Sequence, residues 1–441
     1  MFGTSGIRGP VGETVTAELA LRVGRALGVE ADRVVVGRDP RESGEFLSEA
    51  LSAGLRESGT DVIDLGLAAT PTVARATKWD GADAGVVITA SHNPPPDNGI
   101  KLWQPTTQAF DAPRRKAIAR RIDEDQTDLQ AWDGIGDYER REATAEHVEA
   151  ILDTVDIEDP PAVVLDLGNG AGGVSATALS KLGCDLETLN AQPDGSFPGR
   201  LSEPTAEHCQ SLAALAGENS AIGIAHDGDA DRMRAATEDG EFLSGDTLLA
   251  ILARDTAQPG ETIAAPLNTS LAVDDYLAHN DIDVARTRVG DVSVAERASD
   301  PHVVFGGEPS GAWIWPETAL CPDGPLAAAK LVELASERPL AERAAEIDEY
   351  PIYRDSIEVD AKSAVMERVR ERVRPTYEAV TTLDGVRVDL GDGWFLIRAS
   401  GTQPLVRITA EARDEERART IFEEAEGIVS AVCSQAGTGV R

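Results

Sequence analysis

Three aspartates, Asp227, Asp229 and Asp231, stand at alternate positions in one short segment. Carboxylate oxygens at this spacing suit a hard divalent cation such as Mg²⁺. A calcium loop is the alternative, because Glu238 falls twelfth when Asp227 is counted first. Such a loop needs glycine at its sixth position, which is Arg232 here, and a helix before it, whereas the preceding residues are typical of a strand. We therefore predict one Mg²⁺ per site, with one ligand from outside the triplet.

A serine hydroxyl is displayed beside an imidazole at Ser91 and His92. No G-x-S-x-G pattern surrounds this serine, which disfavours an acyl-transfer hydrolase. If Ser91 carries a phosphate, its oxygen supplies the ligand that the aspartates leave open. The combined negative charge then requires cations nearby, for which Arg8 and Arg232 are the candidates. Lys101, one of only six lysines, is a candidate ammonium or acid/base group, although an exposed lysine is the plainer interpretation.

Two further segments carry polar groups around glycines. Glu308 and Ser310 offer acceptors at a spacing that suits neighbouring hydroxyls of a sugar. Near the end of the chain, hydroxyls and backbone N–H groups between two arginines would make a phosphate cradle. Each segment taken alone is also compatible with an ordinary turn. The cradle residues are Arg398, Ser400, Gly401, Thr402 and Arg407.

A repeated pattern of strands and helices would position these segments. Short β-branched runs alternate with amphipathic stretches in three successive units, which is typical of an α/β fold. The third strand of each unit leads into one of the first three polar segments, and ligands of open α/β sheets gather at the carboxyl ends of strands. The predicted strands are 34–36, 61–65, 85–88, 163–167, 185–189, 221–225, 263–267, 283–289 and 303–305, with helices at 45–56, 175–182 and 271–279.

The chain changes character after about residue 350. A helix at 361–373, strands at 385–390, 395–398 and 405–412, and a final helix at about 414–432 predict a smaller α+β domain. The sequence thus predicts four domains. Their predicted bounds are 1–153 for the serine segment, 154–256 for the metal segment, 257–350 for the sugar segment and 351–441 for the phosphate cradle.

A dinucleotide-binding motif is the competing interpretation. Residues 168–173 satisfy G-x-G-x-x-G after a predicted strand, and Glu187 stands near the position of a ribose-binding acid. An NAD-dependent oxidoreductase would, however, leave the aspartate triplet and the arginine-bearing segments without a role. A sugar-phosphate binder without catalytic activity is the third alternative.

Composition limits the partners of the protein. With 77 acidic and 41 basic residues the formal net charge is −36, and no basic stripe exists to meet nucleic acid or an anionic membrane. The acidic, lysine-poor composition is typical of proteins that work in concentrated salt, where self-repulsion is screened. The four cysteines form no C-x-x-C pair, and no apolar run reaches the length of a membrane span. We expect a cytoplasmic protein, either a monomer or a homodimer, whose partners are small-molecule sugar phosphates.

Together these segments resemble the α-D-phosphohexomutase superfamily along essentially the whole chain, and within it the archaeal phosphoglucosamine mutases. The matching segments are FGTSGIRG at 2–9, TASHNP at 89–94, DGDADR at 227–232, GEPSG at 307–311 and RASGTQP at 398–404. The resemblance implies three α/β/α domains and a fourth, smaller domain around a central cleft. It also implies that Ser91 is the phosphoserine, that the aspartate triplet holds Mg²⁺, and that Arg8 and Arg232 attend the transferring phosphoryl group.

The same resemblance implies a reaction. Glu308 and Ser310 would hold sugar hydroxyls, and the cradle would hold the phosphate that is not reacting. Phosphoserine would donate to a hexose monophosphate, and the resulting hexose 1,6-bisphosphate would turn over and return its other phosphate to Ser91. Many relatives have histidine where this chain has Ala312, so Lys101 and His92 remain the candidates for the second proton-transfer group. The implied substrates are glucosamine 6-phosphate and glucosamine 1-phosphate, with the glucose and mannose phosphates next.

Overall fold

The computed structural model describes residues 3, 6–359, 361–400 and 405–436 of the chain. These residues form four β-sheets, of which three are mixed and the last is antiparallel. Helices pack against the sheets, so the predicted class, three related α/β units followed by a smaller α+β unit, is confirmed. Within this described part, no helix is both long enough and apolar enough to cross a membrane.

The first unit is a six-stranded sheet with helices on both faces. Val34 and Val36 pack into one hydrophobic cluster, whereas Val35 between them packs into another, as expected for a strand buried on both sides. The elements are β1 (Ile7–Pro10), α1 (Ala17–Gly28), β2 (Arg33–Arg38), α2 (Gly44–Glu57), β3 (Asp61–Leu67), α3 (Thr70–Trp79), β4 (Ala84–Ile88), β5 (Asp97–Trp103), α4 (Ala112–Asp123), β6 (Tyr138–Arg140) and α5 (Thr144–Leu152). The strand order is β1-β5-β4-β2-β3-β6.

The second and third units each contain a four-stranded sheet. In the second, the order is β10-β9-β7-β8, and in the third it is β12-β11-β13-β14. The elements are β7 (Ala162–Asp166), α6 (Gly173–Lys181), β8 (Asp185–Leu189), α7 (Gln210–Asn219), β9 (Ile222–His226), β10 (Met233–Ala236), α8 (Gly245–Thr256), β11 (Thr262–Pro266), α9 (Leu271–Ala278), β12 (Asp283–Thr287), α10 (Asp291–Ala298), β13 (Val303–Glu308), β14 (Ala312–Ile314), α11 (Gly324–Glu337) and α12 (Leu340–Ala344).

All three units share one feature that the sequence analysis did not predict. The strand that precedes each polar segment is followed by a strand that returns antiparallel to it: β5 after β4, β10 after β9 and β14 after β13. Each polar segment is therefore the turn of a hairpin. We call them the serine hairpin (β4 and β5), the metal hairpin (β9 and β10) and the sugar hairpin (β13 and β14). A hairpin turn has both ends fixed by a strand ladder, which holds its side chains more firmly than a free loop would.

The second and third units share one hydrophobic core. Leu165 of β7 and Phe305 of β13 belong to the same cluster of buried residues, together with Leu252 of α8 and Leu331 of α11. Burial of apolar surface on this scale is the main force that holds two units together. The predicted domain bounds remain a prediction, because a shared core has no boundary of its own.

The fourth unit is a five-stranded antiparallel sheet with two helices on one face. The strand order is β15-β19-β18-β17-β16, and a cluster that includes Val369, Phe395 and Ile421 joins sheet and helices. Its elements are β15 (Ile352–Glu358), α13 (Lys362–Val373), β16 (Val380–Thr381), β17 (Val386–Asp389), β18 (Gly393–Ala399), β19 (Leu405–Ala412) and α14 (Glu415–Ala436). Glu411 of β19 ties this unit to the third, since its carboxylate accepts hydrogen bonds from Ser270 Oγ at 2.5 Å and from the Leu271 N–H at 2.7 Å.

Candidate active site

The serine hairpin of the first unit contacts the metal hairpin of the second unit, which carries the three aspartates. Ser91 is 1% exposed and lies in the left-handed region at φ 53°, which few residues other than glycine adopt. Its N–H donates to Thr89 Oγ1 at 2.8 Å, and its hydroxyl donates to Asp227 Oδ2 at 2.6 Å. Residues 136 positions apart in the chain are thus in direct contact.

The three aspartates form a compact cluster. Asp227, Asp229 and Asp231 are all buried, and one carboxylate oxygen from each lies within 4.8 Å of the others. Lys101 of β5 places its Nζ 2.7 Å from Asp229 Oδ2 and 2.5 Å from Asp231 Oδ2. Thr70, the first residue of α3, donates its hydroxyl to Asp229 Oδ2 at 2.6 Å and its N–H to Asp229 O at 2.9 Å. Two units therefore hold this cluster together.

The buried carboxylates and the ammonium of the cluster act strongly on one another's pKa values. Burial, then the neighbouring Asp231 and Asp229, raises the pKa of Asp227 well above its usual value. Burial also raises the pKa of Asp231, next to Asp229. Burial opposes the charge of Lys101 as well, but Asp229 and Asp231 outweigh it and raise the pKa of this ammonium above its ordinary value. The three carboxylates lie close together in a buried place, where their mutual repulsion favours the binding of a cation.

The cluster fits a divalent cation on a further observation. Asp229 Oδ1 is buried and has no hydrogen-bond partner among the described residues. A carboxylate oxygen aimed at no donor, beside two other carboxylates, is the ligand that Mg²⁺ requires. The donor set is all oxygen, which favours Mg²⁺ over zinc or iron. Asp227, Asp229 and Asp231 are therefore able to hold the ion.

Cationic and neutral groups surround the serine. His92 Nδ1 lies 3.4 Å from Ser91 Oγ. Burial first, then the charges of Arg232, Arg8 and Lys101, lowers the pKa of His92 to about 2, so its imidazole is neutral. The buried Arg8 Nε has no partner among the described residues, and the Arg232 N–H donates to Asp227 Oδ1 at 3.1 Å. The predicted catalytic residues lie near one another, because the charges of Arg8, Lys101 and Arg232 all act on His92, which lies beside Ser91.

The sugar hairpin of the third unit adjoins the metal hairpin. The Met233 N–H donates to Gly311 O at 2.9 Å, and Arg232 and Ala312 form an isolated β-bridge. Burial, then the Asp291 carboxylate, raises the pKa of Glu308 to about 7, while Arg232 and Arg398 act in the opposite direction. Ser310 Oγ is buried, and the Ser310 hydroxyl lowers the pKa of the neighbouring Glu308 carboxyl. The two predicted sugar-binding side chains thus lie together and close to Arg232 of the metal hairpin.

The predicted phosphate cradle lies apart from the transfer centre, on the fourth unit. Arg398 of β18 pairs across the ladder with Arg407 of β19. Arg398 Nη1 lies 3.3 Å from Asp384 Oδ2, and Lys362 Nζ donates to Ser400 O at 2.6 Å. A cavity of about 460 Å³ is lined by both arginines. Gly401 and Thr402, which were also predicted here, lie outside the described residues.

Several residues at the site were not predicted. Thr70 donates a hydrogen bond to the aspartate cluster, and Asn268 of the third unit lines the cradle cavity together with Arg354. Asn268 Oδ1 is buried and without a partner among the described side chains. Only their positions in the sequence could have indicated a function for these two residues. Thr70 follows strand β3 and Asn268 follows strand β11, and open α/β sheets bind ligands at the ends of such strands.

The glycine-rich segment 168–173 has a structural explanation. A Cβ added at Gly170 would lie 2.8 Å from Gly228 O and 2.9 Å from Asp227 O. The Ala171 N–H donates to Gly228 O at 2.9 Å. Glycine is needed here because the segment packs directly against the backbone of the metal hairpin. The strand β9 before that hairpin also argues against a calcium loop, which begins after a helix.

This arrangement is suited to phosphoryl transfer: it brings a serine hydroxyl, three carboxylates able to hold a metal ion and several cations to one place, and an arginine-lined cavity lies at another. On four units of this topology, they define a hexose phosphate mutase, an isomerase that transfers a phosphoryl group within its substrate. The chain belongs to the phosphoglucomutase/phosphomannomutase family. Models of its alpha/beta/alpha domains I, II and III match residues 1–128, 145–240 and 244–350, and the model of its C-terminal domain matches residues 354–428.

Archaeal relatives are similar along nearly the whole chain. A protein of Methanopyrus kandleri named probable phosphoglucosamine mutase is 45% identical over 97% of this chain and 97% of its own length. A protein of Pyrococcus abyssi with the same name is 41% identical over 99% of both chains. The predicted resemblance is therefore confirmed.

Solved structures of the family have the same fold. A phosphoglucomutase/phosphomannomutase family protein of Burkholderia thailandensis has a TM-score of 0.88 at 27% identity over 100% of both chains. The N-acetylphosphoglucosamine mutase of Aspergillus fumigatus, solved in complex with GlcNAc-6P and magnesium, has a TM-score of 0.60 at 16% identity over 98% of this chain and 96% of its own. At that identity the second structure supports the fold alone.

Proposed function

We propose that the chain is a phosphoglucosamine mutase that interconverts glucosamine 6-phosphate and glucosamine 1-phosphate through a phosphoserine at Ser91. The observation that carries the phosphoserine is the contact of Ser91 Oγ with Asp227 Oδ2 at 2.6 Å, inside a cluster that fits Mg²⁺. The names of the archaeal relatives support the amino sugar. The proposed ligands are small-molecule sugar phosphates, and the proposed compartment is the cytoplasm.

Two transfers in opposite senses make up the proposed reaction. In the first, the bond from phosphorus to Ser91 Oγ breaks and Ser91 Oγ takes a proton, while a bond from phosphorus to a sugar oxygen forms and that sugar hydroxyl loses its proton. In the second, the bond from the other phosphorus of the hexose 1,6-bisphosphate to its sugar oxygen breaks and that oxygen takes a proton, while a bond from this phosphorus to Ser91 Oγ forms and the serine hydroxyl loses its proton. Between the two, the bisphosphate turns over in the site. No net phosphate is gained or lost, which is why the reaction is an isomerisation.

The residues around Ser91 would act mainly by position and charge. Phosphoryl transfer depends on in-line geometry and on neutralising the equatorial oxygens. Arg8, Arg232 and Lys101 bring positive charge to that place. Mg²⁺ held by Asp227, Asp229, Asp231 and an oxygen of the phosphoserine would add charge neutralisation at the phosphoryl group.

Two candidates remain for proton transfer. Lys101 is held as an ammonium by Asp229 and Asp231, which fits a proton donor and a charge stabiliser better than a base. His92 is neutral, so one of its ring nitrogens has a free lone pair near Ser91 Oγ. His92 therefore stays a candidate on its position alone, because its lowered pKa makes the imidazole a weak base.

The non-reacting phosphate would bind in the cradle of the fourth unit. Arg398 and Arg407 line its cavity, and Glu308 and Ser310 between the two places would receive the sugar hydroxyls. Separate binding places for the two phosphates would let one phosphate react while the other anchors the sugar.

An isomerisation assay tests this proposal. The protein is incubated in concentrated salt with Mg²⁺ and a trace of hexose 1,6-bisphosphate, and the 6-phosphates of glucosamine, glucose, mannose and N-acetylglucosamine are followed by ³¹P NMR. We expect the highest kcat/KM with glucosamine 6-phosphate. A preference for the glucose or mannose phosphate would reassign the substrate within the family, whereas binding without any exchange of phosphate position would contradict the proposed activity.

A further inference from the structure

Residues 194–203, which we call the bridging segment, contact both catalytic hairpins although none of them was predicted to be functional. The segment lies between β8 and α7 of the second unit. Arg200 fastens it there, because its Nε donates to Asp166 Oδ2 and its Nη2 to His226 O, both at 2.6 Å. His226 directly precedes the metal hairpin. The bridging segment is therefore fixed to the same strands that carry the aspartates.

One hydroxyl of this segment joins the two hairpins. Ser202 is 2% exposed. Its Oγ donates to Ser91 O at 2.8 Å and accepts the Gly228 N–H at 2.9 Å. The first bond reaches the serine of the first unit, and the second reaches the turn that lies between Asp227 and Asp229. No other single side chain among the described residues is recorded with hydrogen bonds to both Ser91 and Gly228.

Arg41 continues the connection on the side of the first unit. Its guanidinium is buried in an ion pair with Asp39 at 3.0 Å, and it donates from Nη2 to Ser91 O at 2.9 Å and to Asn93 O at 2.6 Å. Its Nη1 donates to the carbonyls of two further residues of the serine turn. One side chain thus holds the turn by four carbonyl groups.

The bridging segment also packs directly on Arg41. The Phe197 ring lies 5.0 Å from Arg41 Cζ, and Phe197 is 4% exposed. A Cβ added at Gly195 would lie 2.5 Å from Arg41 Cα, so only glycine permits this approach. Ser202 therefore hydrogen-bonds to the serine turn, and Phe197 packs on the arginine that holds this turn.

We propose that Ser202, supported by Phe197 and Arg41, is a positioning residue that sets Ser91 Oγ in register with the Asp227 carboxylate. Nucleophile and metal ligands stand on different units, so their distance depends on what couples the two hairpins. The left-handed backbone of Ser91 also needs surrounding contacts to hold it. A misplacement of about 1 Å can cost about 100-fold in rate. This inference rests on the proposed mutase reaction.

The test compares Ser202→Ala with Ser58→Ala. The Ser58 hydroxyl is also buried and donates to a backbone carbonyl, Gly54 O at 3.1 Å, but Ser58 directly follows α2, away from the site. In Ser202→Ala we expect kcat to fall about tenfold or more while KM for the sugar phosphate stays within about twofold. The rate of phosphoryl transfer from hexose 1,6-bisphosphate to Ser91 should fall by the same factor. Ser58→Ala should keep both rates.

A second measurement does not depend on activity. Hydrogen exchange should rise in Ser202→Ala within 89–97 and 227–232 and stay unchanged in the fourth unit, whereas Ser58→Ala should change neither hairpin. Phe197→Leu, which keeps an apolar side chain under Arg41 but loses the ring face, should show a smaller change in 89–97. It also serves as the test if Ser202→Ala does not fold.

The outcomes separate this inference from the proposed function. Unchanged kcat and unchanged exchange in Ser202→Ala would overturn the positioning role. A fall in kcat that merely follows a lower folded fraction, with exchange raised throughout the chain, would overturn it as well. If the wild-type protein neither isomerises sugar phosphates nor acquires phosphate on Ser91, the proposed function fails, and the exchange experiment still decides whether Ser202 couples the two hairpins.

Discussion

The transfer centre and the phosphate cradle differ in how far they are built before substrate arrives. At the centre, Ser91, Lys101 and the aspartates are buried and bonded to one another at 2.5–2.7 Å. In the cradle, the Arg398 side chain is 22% exposed, its partner Asp384 is 26% exposed, and the two lie 3.3 Å apart beside an open cavity. The transfer centre is thus preorganised and the cradle is more open, although both would bind the same substrate molecule.

The proposed reaction explains this difference. The centre always handles the same small group in the same in-line geometry, which rewards fixed charges. The cradle must receive the 6-phosphate in one half of the cycle and the 1-phosphate in the other. Removing a group from the centre should therefore lower kcat, and removing one from the cradle should mainly raise KM.

The largest of the four effects is expected for Asp229→Asn. This change removes the charge of the residue whose Oδ1 has no partner, so kcat should fall about 10²- to 10³-fold in saturating Mg²⁺. The thermal unfolding midpoint of the wild-type protein should rise with Mg²⁺, because the ion relieves repulsion among buried carboxylates, and this rise should shrink in the variant. Calorimetric unfolding with and without the ion measures it.

Glu238→Gln is the matched control for the metal prediction. Glu238 would be the twelfth residue of a calcium loop, but its Oε1 accepts the Ala341 N–H at 3.3 Å. The variant should keep the stabilisation by Mg²⁺. If Mg²⁺ no longer stabilised Glu238→Gln, a calcium loop would be favoured over a Mg²⁺ site held by the aspartate triplet.

Lys101→Met should reduce stability strongly. The variant leaves Asp229 and Asp231 without their ammonium partner, and breaking a buried ion pair costs about 3–5 kcal/mol. The free energy of unfolding from urea titration measures this, and added Mg²⁺ should recover part of it. A loss below about 1 kcal/mol without Mg²⁺ would show that the cluster does not depend on this lysine.

Arg398→Ala tests the cradle side of the comparison. Loss of a charge-assisted bond to phosphate, about 1.5–3 kcal/mol, should raise KM about 10- to 100-fold and change kcat only a few-fold. Asp384→Asn removes the partner of Arg398 but keeps the guanidinium, so its KM should stay close to that of the wild type. A variant Arg398→Ala with unchanged KM and a low kcat would contradict the division between centre and cradle.

The smallest effect is a pH dependence at Glu308. With a pKa of about 7, the carboxyl is mostly charged at pH 8 and mostly protonated at pH 6. The charged form accepts more hydrogen bonds from sugar hydroxyls, so KM should rise about threefold to tenfold from pH 8 to pH 6. Because the folded-state pKa lies above the ordinary 4.5, stability contributed by the neutral form is lost as pH rises from about 4.5 through 7.

Glu308→Gln separates this effect from titration of the substrate. Its KM should follow only the ionisation of the sugar phosphate between pH 8 and pH 6. An identical pH profile in wild type and variant would remove Glu308 from sugar binding.

The polar residues of the hairpins and the strands before them could be predicted from the sequence. The strands that pair with them could not. Strands 61–65, 185–189 and 405–412 were predicted close to β3, β8 and β19, because their apolar runs are bounded by turn residues. The return strands β10 and β14 are only four and three residues long, too short to show a period. Their existence follows from pairing with a neighbour, which is tertiary information.

Contacts between units escape sequence reasoning for the same reason. The triplet of aspartates is visible because its members are close in the chain. Thr70 and Ser202 are single hydroxyls far in the chain from the residues they bond. Thr70 is marked only by its position after β3, and nothing in the neighbourhood of Ser202 distinguishes it from a surface serine. Lys101 was a candidate because lysine is rare in this chain, but its position between two aspartates depends on how the first two units dock.

The most direct test of the account is transfer of a labelled phosphate to Ser91. The protein is incubated with Mg²⁺ and hexose 1,6-bisphosphate carrying ³²P, then digested, and the labelled peptide is identified by mass spectrometry. We predict that the label resides on Ser91, chases into hexose monophosphate when unlabelled substrate is added, and is absent from Ser91→Ala, whose kcat falls about 10⁴-fold or more. Label on another residue, or wild-type turnover by Ser91→Ala, would contradict the assignment of this serine as the phosphoryl carrier.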